Sequence, residues 1–431
     1  TTMLLRLTDG TTTLTLSGSG SFLGATYWPA SDPGKAQITE TVPLILEGTA
    51  AAISAAVNDI EQMFVAARLR QELLTPRVFV EFQPIDTAEI RRAEIFDGSV
   101  TWAQAPAKRF LAGTLNTVEV AVTIVRSAKW EGTYTELNLS SSSQTERTGG
   151  VTVYNNDNAT ATSTNWVGIA SNRVAGTQPA PIQLRITNAS GSTLSWRNFY
   201  VGNNVNSAPA SADVWLLGSE AAGGAAASWV SYTTHNDLLW VFSLSSTLLG
   251  QTLGRPCRVI AAFSSITSGV NLRAGMGGYI GSVYVPIQYN EERQSSARKL
   301  FDLGELPFPP GGYSAANSAA ALAITGRYTG SGNGTIDFVQ VMPTDSFRRF
   351  QQVNYSAANG DAVEVDDIEG VAYRINGSNK NPIVRVSGGL PLCVFPERDQ
   401  RLYILFDEDA GFTAGRQMTV RAWYRPVYDA V

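Results

Sequence analysis

The sequence is poor in the residues on which most catalysis and metal binding depend. Its 431 residues include one histidine, His235, and two cysteines, Cys257 and Cys393. The cysteines lie far apart and form no C-x-x-C pair, so neither a disulfide framework nor a zinc site is expected. Any Ser–His–Asp or Cys–His scheme would need His235 beside a nucleophile. It falls instead in Thr233-Thr234-His235-Asn236-Asp237, which reads as a solvated turn before a strand. No G-x-S-x-G, H-E-x-x-H or P-loop motif occurs, and the expectation is that the chain is not an enzyme.

Charge is also scarce. Charged residues make up 16% of the chain, against roughly 25% in ordinary globular proteins. The net charge is -5, with no basic stripe. That argues against a nucleic-acid binder held by phosphate contacts, but not against a conduit, which should not grip its cargo. No run approaches 18 apolar residues, so no membrane insertion is expected. Thr1-Thr2-Met3-Leu4 shows no basic region leading into an apolar core. The expected compartment of synthesis is the cytosol, with a signal removed before Thr1 left open.

What is present is turn-rich and apolar in short pieces. The hydrophobic share is 44%, and the length suits two or three domains with separate cores. Met3 to Thr8 and Thr12 to Leu16, joined by Asp9-Gly10, form a hairpin signal. A strand runs from Ile38 to Leu46, where Pro43 suggests an edge or a bulge. Apolar residues at Ile53, Val57, Ile60, Phe64 and Ala67 have the spacing of one helix face, with Thr49 as N-cap and Pro76 beyond the end. Strands at 78–82, 91–100 and 117–125 follow, with Asp97-Gly98 read as a turn. Beyond residue 134 helical periodicity is absent, and short apolar segments recur between turn residues. The expected fold is mainly β: an N-terminal α+β domain with one helix, then jelly-roll-like β-sandwich domains. The expected boundaries are 1–133, a linker or strand at 134–147, a sandwich at 148–345 and a C-terminal β domain at 346–431. Alternatively 148–345 is an insertion, with 133–140 and 346–431 closing one sandwich around it.

Three stretches carry a resemblance. Val42-Pro43-Leu44-Ile45-Leu46-Glu47-Gly48 leads into the helix, Phe96-Asp97-Gly98-Ser99-Val100 follows the paired strands, and the last strand runs through Arg126 to Trp130-Glu131-Gly132. In this layout residues 1–133 resemble the tube-like domain of phage distal tail proteins and, more distantly, tail tube proteins. Val420-Arg421-Ala422-Trp423-Tyr424-Arg425-Pro426 is similar to the closing strand of many phage tail proteins. Residues 148–345, ending in Gly334-Thr335-Ile336-Asp337-Phe338-Val339-Gln340-Val341-Met342-Pro343, look like a carbohydrate-binding module. The resemblance implies a virion protein assembled in the host cytoplasm. It would form a homo-oligomeric ring, commonly six-fold, around a channel that DNA traverses without specific binding. Other tail proteins and host-surface glycans would be its partners. The alternatives are a major tail tube protein with decoration domains and a carbohydrate-binding adhesin.

Candidate ligand residues follow from side-chain chemistry. Trp196 and Trp229, set among polar neighbours, with Tyr232 close by, could stack on sugar rings; the competing reading is core filling. Trp215 and Trp240, inside apolar runs, read as core. Asn155-Asn156-Asp157-Asn158, with Asp157 joined by Asp337, could hold a structural Ca²⁺, or could simply be an Asx-rich turn. No other cofactor is expected. The acidic run Asp361, Glu364, Asp366, Asp367 and Glu369 alternates with Val363 and Val365, and reads as a strand or turn with its polar face in water.

Overall fold

The structure, a computed structural model, describes the chain except for residues 1–2, 19–20, 24–26, 33, 74–75, 85–88, 103–115, 157–161, 206–213, 230–236, 253, 281–282, 295–299, 310–319, 329, 383–384, 388–389 and 431. The fold is mainly β, with two helices among the described residues. The chain forms two compact units. Unit 1 comprises Thr1–Tyr134, Ala175–Gln178 and Arg425–Val431, and unit 2 comprises Thr135–Val174 and Pro179–Tyr424.

In unit 1 the alternation of apolar and polar residues produces long antiparallel strands. The sheet runs in the order Thr13–Thr15, Leu4–Thr8, Phe79–Gln83, Arg91–Trp102, Asn116–Ser127, Gln37–Gly48, Ser21–Leu23. Asp9 Oδ1 accepts the backbone N–H groups of Thr11 and Thr12 at 2.8 and 2.6 Å, closing the first hairpin. The helix Ala50–Leu73 starts at Thr49, whose Oγ1 accepts the Ala52 N–H at 3.2 Å. Its core face is the one the spacing predicts: Ile53, Ile60, Phe64 and Ala67 are buried and Val57 is partly so. Pro43 lies opposite Ala121, next to the point where, among the described residues, the pairing of Ser21–Leu23 with Leu44 to Leu46 ends. That is the edge-like position in which a strand tolerates proline.

Asp97-Gly98 is not a turn. It lies inside the strand Arg91–Trp102, just past a β-bulge between Ile95 and Asp97, with Asp97 opposite Val125 and Gly98 opposite Ile124. A Cβ on Gly98 would come within 2.5 Å of the Phe64 ring. The glycine is there for close approach of the helix, which a local turn reading does not anticipate.

Among the described residues unit 2 holds four sheets. One has seven strands, including Trp166–Ile169, Gln400–Glu408, Leu194–Val205 and Phe347–Ala357 in adjacent positions. A second, of eight strands, contains Val151–Asn155, Arg416–Tyr424, Ala180–Asn188 and Ala362–Asp366. The other two have five strands each, drawn from residues 215–343. The strand Gln400–Glu408 is buried at every residue, as a strand must be when both sheet faces are covered. Trp215 meets Tyr403 of the seven-stranded sheet at 6.1 Å, and Trp240 meets Phe263 between the two five-stranded sheets at 5.4 Å.

The boundaries expected at 148 and 345 do not coincide with sheet membership. Strands between 151 and 205 pair with strands beyond 345: Ala180–Asn188 lies between Ala362–Asp366 and Arg416–Tyr424, and Leu194–Val205 between Phe347–Ala357 and Gln400–Glu408. Residues 215–343 are thus inserted into a sandwich built from both flanks. Long-range antiparallel pairing closes edges that either flank alone would leave open.

Candidate functional site

The most regular surface in unit 1 is the outward face of three adjoining strands. Alternation sends Ile38, Val42, Leu44, Val120, Val122 and Ile124 into the core. The opposite side chains form short rows across the sheet. Thr41, Thr123 and Ser99 are in register, as are Pro43, Ala121 and Thr101, and Thr39, Val125 and Asp97. Beyond them lie Thr117 and Glu119. The central rows are small and uncharged, and the outer strands expose Thr39, Thr41, Ser99 and Thr101 to solvent. A surface of this kind offers hydroxyls but few fixed charges and few apolar anchors, so it can pass a polyanion without holding it.

Behind this face a buried ion pair fixes a neighbouring loop. Arg126, fully buried, donates through Nε to Glu40 Oε1 at 2.5 Å and through Nη2 to the Ala30 carbonyl at 2.7 Å. Glu40 Oε2 accepts the Ala30 N–H at 2.9 Å. The guanidinium also lies 4.5 Å from the Trp130 ring centroid. Both polar groups of Ala30 are spent on the pair, so the loop before it is held firmly. That loop presents Trp28, 58% exposed, with its ring edge-on to Phe82 at 5.3 Å.

Two of the sugar-stacking candidates, Trp196 and Trp229, are core residues. Trp196 is fully buried against Phe199, Phe406 and Tyr355, with centroids 5.0, 5.9 and 6.0 Å away. Trp229 is 7% exposed and covers Gly332, where a Cβ would fall 2.7 Å from its ring. Neither ring can receive a sugar, because each already has its faces against protein. Polar sequence neighbours misled here: strand alternation places them on the opposite side of the backbone. Tyr232 and His235 lie outside the described residues. So does Asp157, while Asp337 is half-buried in the strand Gly332–Pro343. Asn155 is spent structurally: its Nδ2 donates to the Phe406 carbonyl at 2.9 Å, and its Oδ1 accepts the Phe406 N–H at 3.1 Å. Among the described residues no three His, Cys, Asp or Glu side chains cluster as metal ligands would.

The acidic run is a strand, as expected, but its face is not in water throughout. Glu364 is fully buried between Arg185 and Lys380, which donate to it at 2.7 and 2.8 Å. Burial alone would raise its carboxyl, and these hydrogen bonds outweigh burial, leaving it below the usual carboxylate range. Asp367 is paired with Arg348 at 2.8 Å.

The sequence reading missed a second polar chain, which joins the inserted module to its carrier sandwich. Arg258 holds Asp302 bidentately at 2.8 and 2.9 Å, and Arg349 approaches Asp302 at 3.5 Å. Arg349 also donates to Asn198 Oδ1 at 3.3 Å, and Asn198 donates to Asp407 through its backbone N–H at 2.8 Å and its amide at 2.9 Å. Burial pushes the Asp407 carboxyl up to about 6, against the opposing pull of the Asn198 bonds and of Arg197 and Arg349. The only hint in the sequence is the polar tail of the strand Leu194–Val205, where Asn198, Asn203 and Asn204 interrupt an apolar run and are all buried.

No protein-family model matches the sequence, and no curated protein matches it. Two solved structures of a phage P2 baseplate in its activated conformation, one with Ca and one with Sr, align with all of this chain and 99% of theirs. The identity is 10% in each, with TM-scores of 0.24 and 0.25. A likeness that low carries no argument about this chain.

Proposed function

We propose that the protein is a structural component of a bacteriophage tail, forming a homo-oligomeric ring around the DNA channel at the tail tip or baseplate hub. Unit 1 builds the ring, and the β domains of unit 2 serve docking to other tail proteins or contact with host-surface glycans. The observation that supports this most is the broad face of Thr39, Thr41, Ser99, Thr101 and Thr123 on long antiparallel strands of a sheet that, among the described residues, does not close on itself. It suits a lumen wall, and strand edges are a liability that cyclic assembly removes. Negative-stain imaging of the purified full chain should reveal closed rings with a central hole. Particles that stay monomeric up to high micromolar concentration would refute the ring.

Within this reading the glycan contact moves away from the tryptophans. Tyr284 and Tyr289, on the edge strand Val283–Tyr289, lie across Gly275 and Gly277, and both are half-buried rather than enclosed. Arg273 stacks on Tyr289 at 3.9 Å. Rings that keep part of their surface in solvent beside a planar donor suit a sugar better than the core tryptophans do.

A further inference from the structure

Unit 1 is assembled from chain segments that are remote in synthesis. Its first 134 residues are joined by Arg425–Val431, which follow all of unit 2. The later segment adds the strand Val427–Tyr428 to Trp130–Glu131, with Val427 opposite Glu131 and Tyr428 opposite Trp130. The Gly132 N–H donates to the Pro426 carbonyl at 2.7 Å, and Arg425 donates to the Gly132 carbonyl at 3.1 Å. Arg91 stacks on Tyr428 at 3.8 Å and donates to the Ala430 carbonyl at 2.5 Å. Asp429 is the main anchor: its carboxylate accepts from Lys129, from Thr177 Oγ1 at 3.0 Å and from Gln178 Nε2 at 2.9 Å. These donors hold the Asp429 carboxyl below its usual range, Lys129 most of all. Gly176 allows Thr177 and Gln178 to reach it, since a Cβ there would meet the Val427 carbonyl at 2.6 Å.

We infer that residues 425–431 act as an assembly latch, so that unit 1 becomes able to self-associate only when this late segment docks. The inference rests on the ring reading for what unit 1 does. Without the segment, Trp130–Glu131 keeps an open edge, Lys129 loses Asp429, Arg91 loses Tyr428 and the Ala430 carbonyl, and the Gly132 carbonyl loses Arg425. At ~5–20 residues per second, the latch emerges about 12–50 s after the rest of unit 1. Domains otherwise fold as they emerge, and an assembly surface finished early would face its neighbours on the same polysome. A segment made after all of Pro179–Tyr424 defers association until unit 2 has been synthesised.

The test compares the full chain with one stopped after Tyr424 and with the milder Asp429→Ala, by amide exchange and by sedimentation. Stopping after Tyr424 should speed exchange more than tenfold in Arg91–Trp102 and Trp130–Glu131, leave Gln400–Glu408 protected and abolish self-association. A synthetic peptide of residues 425–431 added in trans should restore both, and Asp429→Ala should fall between. Unchanged protection in unit 1, or loss of protection throughout unit 2 as well, would overturn the latch. If the full chain itself never associates, the ring reading fails, and the exchange comparison still decides whether the segment completes unit 1.

Discussion

The two units use their tryptophans in opposite ways. In unit 1, Trp28 and Trp102 are exposed, at 58% and 39%, and only Trp130 is buried. In unit 2, Trp166, Trp196, Trp229 and Trp240 are buried, while Trp215 packs against the core and Trp423 lies beneath Arg185 and Arg421. Large aromatic rings exposed on a rigid frame are the usual anchors of protein contacts. The part of the molecule that looked like a ligand-binding module therefore consumes its tryptophans as core, and the part that looked like plain scaffold displays them. Self-association is better sought in unit 1.

The sharpest break of this contrast comes from the two cores. Phe64→Asp should unfold unit 1, because the ring is fully buried over Gly98 and an unpaired carboxylate there costs more than about 4 kcal/mol. Trp196→Ala should cost unit 2 roughly 3–5 kcal/mol, the range for emptying an aromatic site. Calorimetry should then show each variant losing a different transition. A Trp196→Ala protein that melts like wild type would return that residue to the surface and undo the comparison.

Two buried carboxylates, one in each unit, are partnered differently, which gives the next effect in size. Glu40 in unit 1 faces Arg126 at contact distance. Asp407 in unit 2 is met chiefly by the neutral Asn198, with Arg349 and Arg197 acting at longer range. A carboxyl pushed up from its ordinary value of 3.8 to about 6 binds its proton more tightly in the folded protein. Its contribution is therefore full below about pH 4 and lost as pH rises through 6. Asp407→Asn should stabilise the protein at pH 7.5 by roughly 2–3 kcal/mol and leave it unchanged near pH 4. Urea midpoints of variant and wild type from pH 4 to 7.5 give the difference directly. Parallel curves would mean that Asp407 is not raised.

Legibility in the sequence followed periodicity. The helix face Ile53, Ile60, Phe64 and Ala67, the hairpin at Asp9-Gly10 and the strand Gln37–Gly48 could be read because each has one buried face and one wet face. Leu194–Val205 could not, since a strand covered on both sides shows no alternation and carries buried asparagines that look like a loop. Gly98 shows the same limit: its reason is Phe64, which is remote in sequence. Of the ligand residues proposed from the sequence, those that the structure describes do not form a site. Neighbour polarity does not report which side of a strand a ring occupies.

The smallest effect on the fold, and the most direct probe of the contrast, is expected at Trp28. Its ring is more than half exposed and touches Phe82 by one edge, so Trp28→Ala removes little buried surface and should cost under about 1 kcal/mol of stability. The loop should keep its path, because Ala30 is fixed by Glu40 and Arg126 rather than by the indole. Association should respond otherwise. A tryptophan presented on a fixed loop loses little entropy on burial, and truncating such an anchor typically costs about 2 kcal/mol or more. That corresponds to roughly thirtyfold weaker self-association, readable by sedimentation at several concentrations beside a melting curve. Trp229→Ala is the control in the other direction: a lower melting point with no specific loss of association. Should Trp28→Ala instead lower the melting point while assembly proceeds unchanged, the exposed tryptophans of unit 1 would be ordinary packing residues, and the contact surface would have to be sought elsewhere.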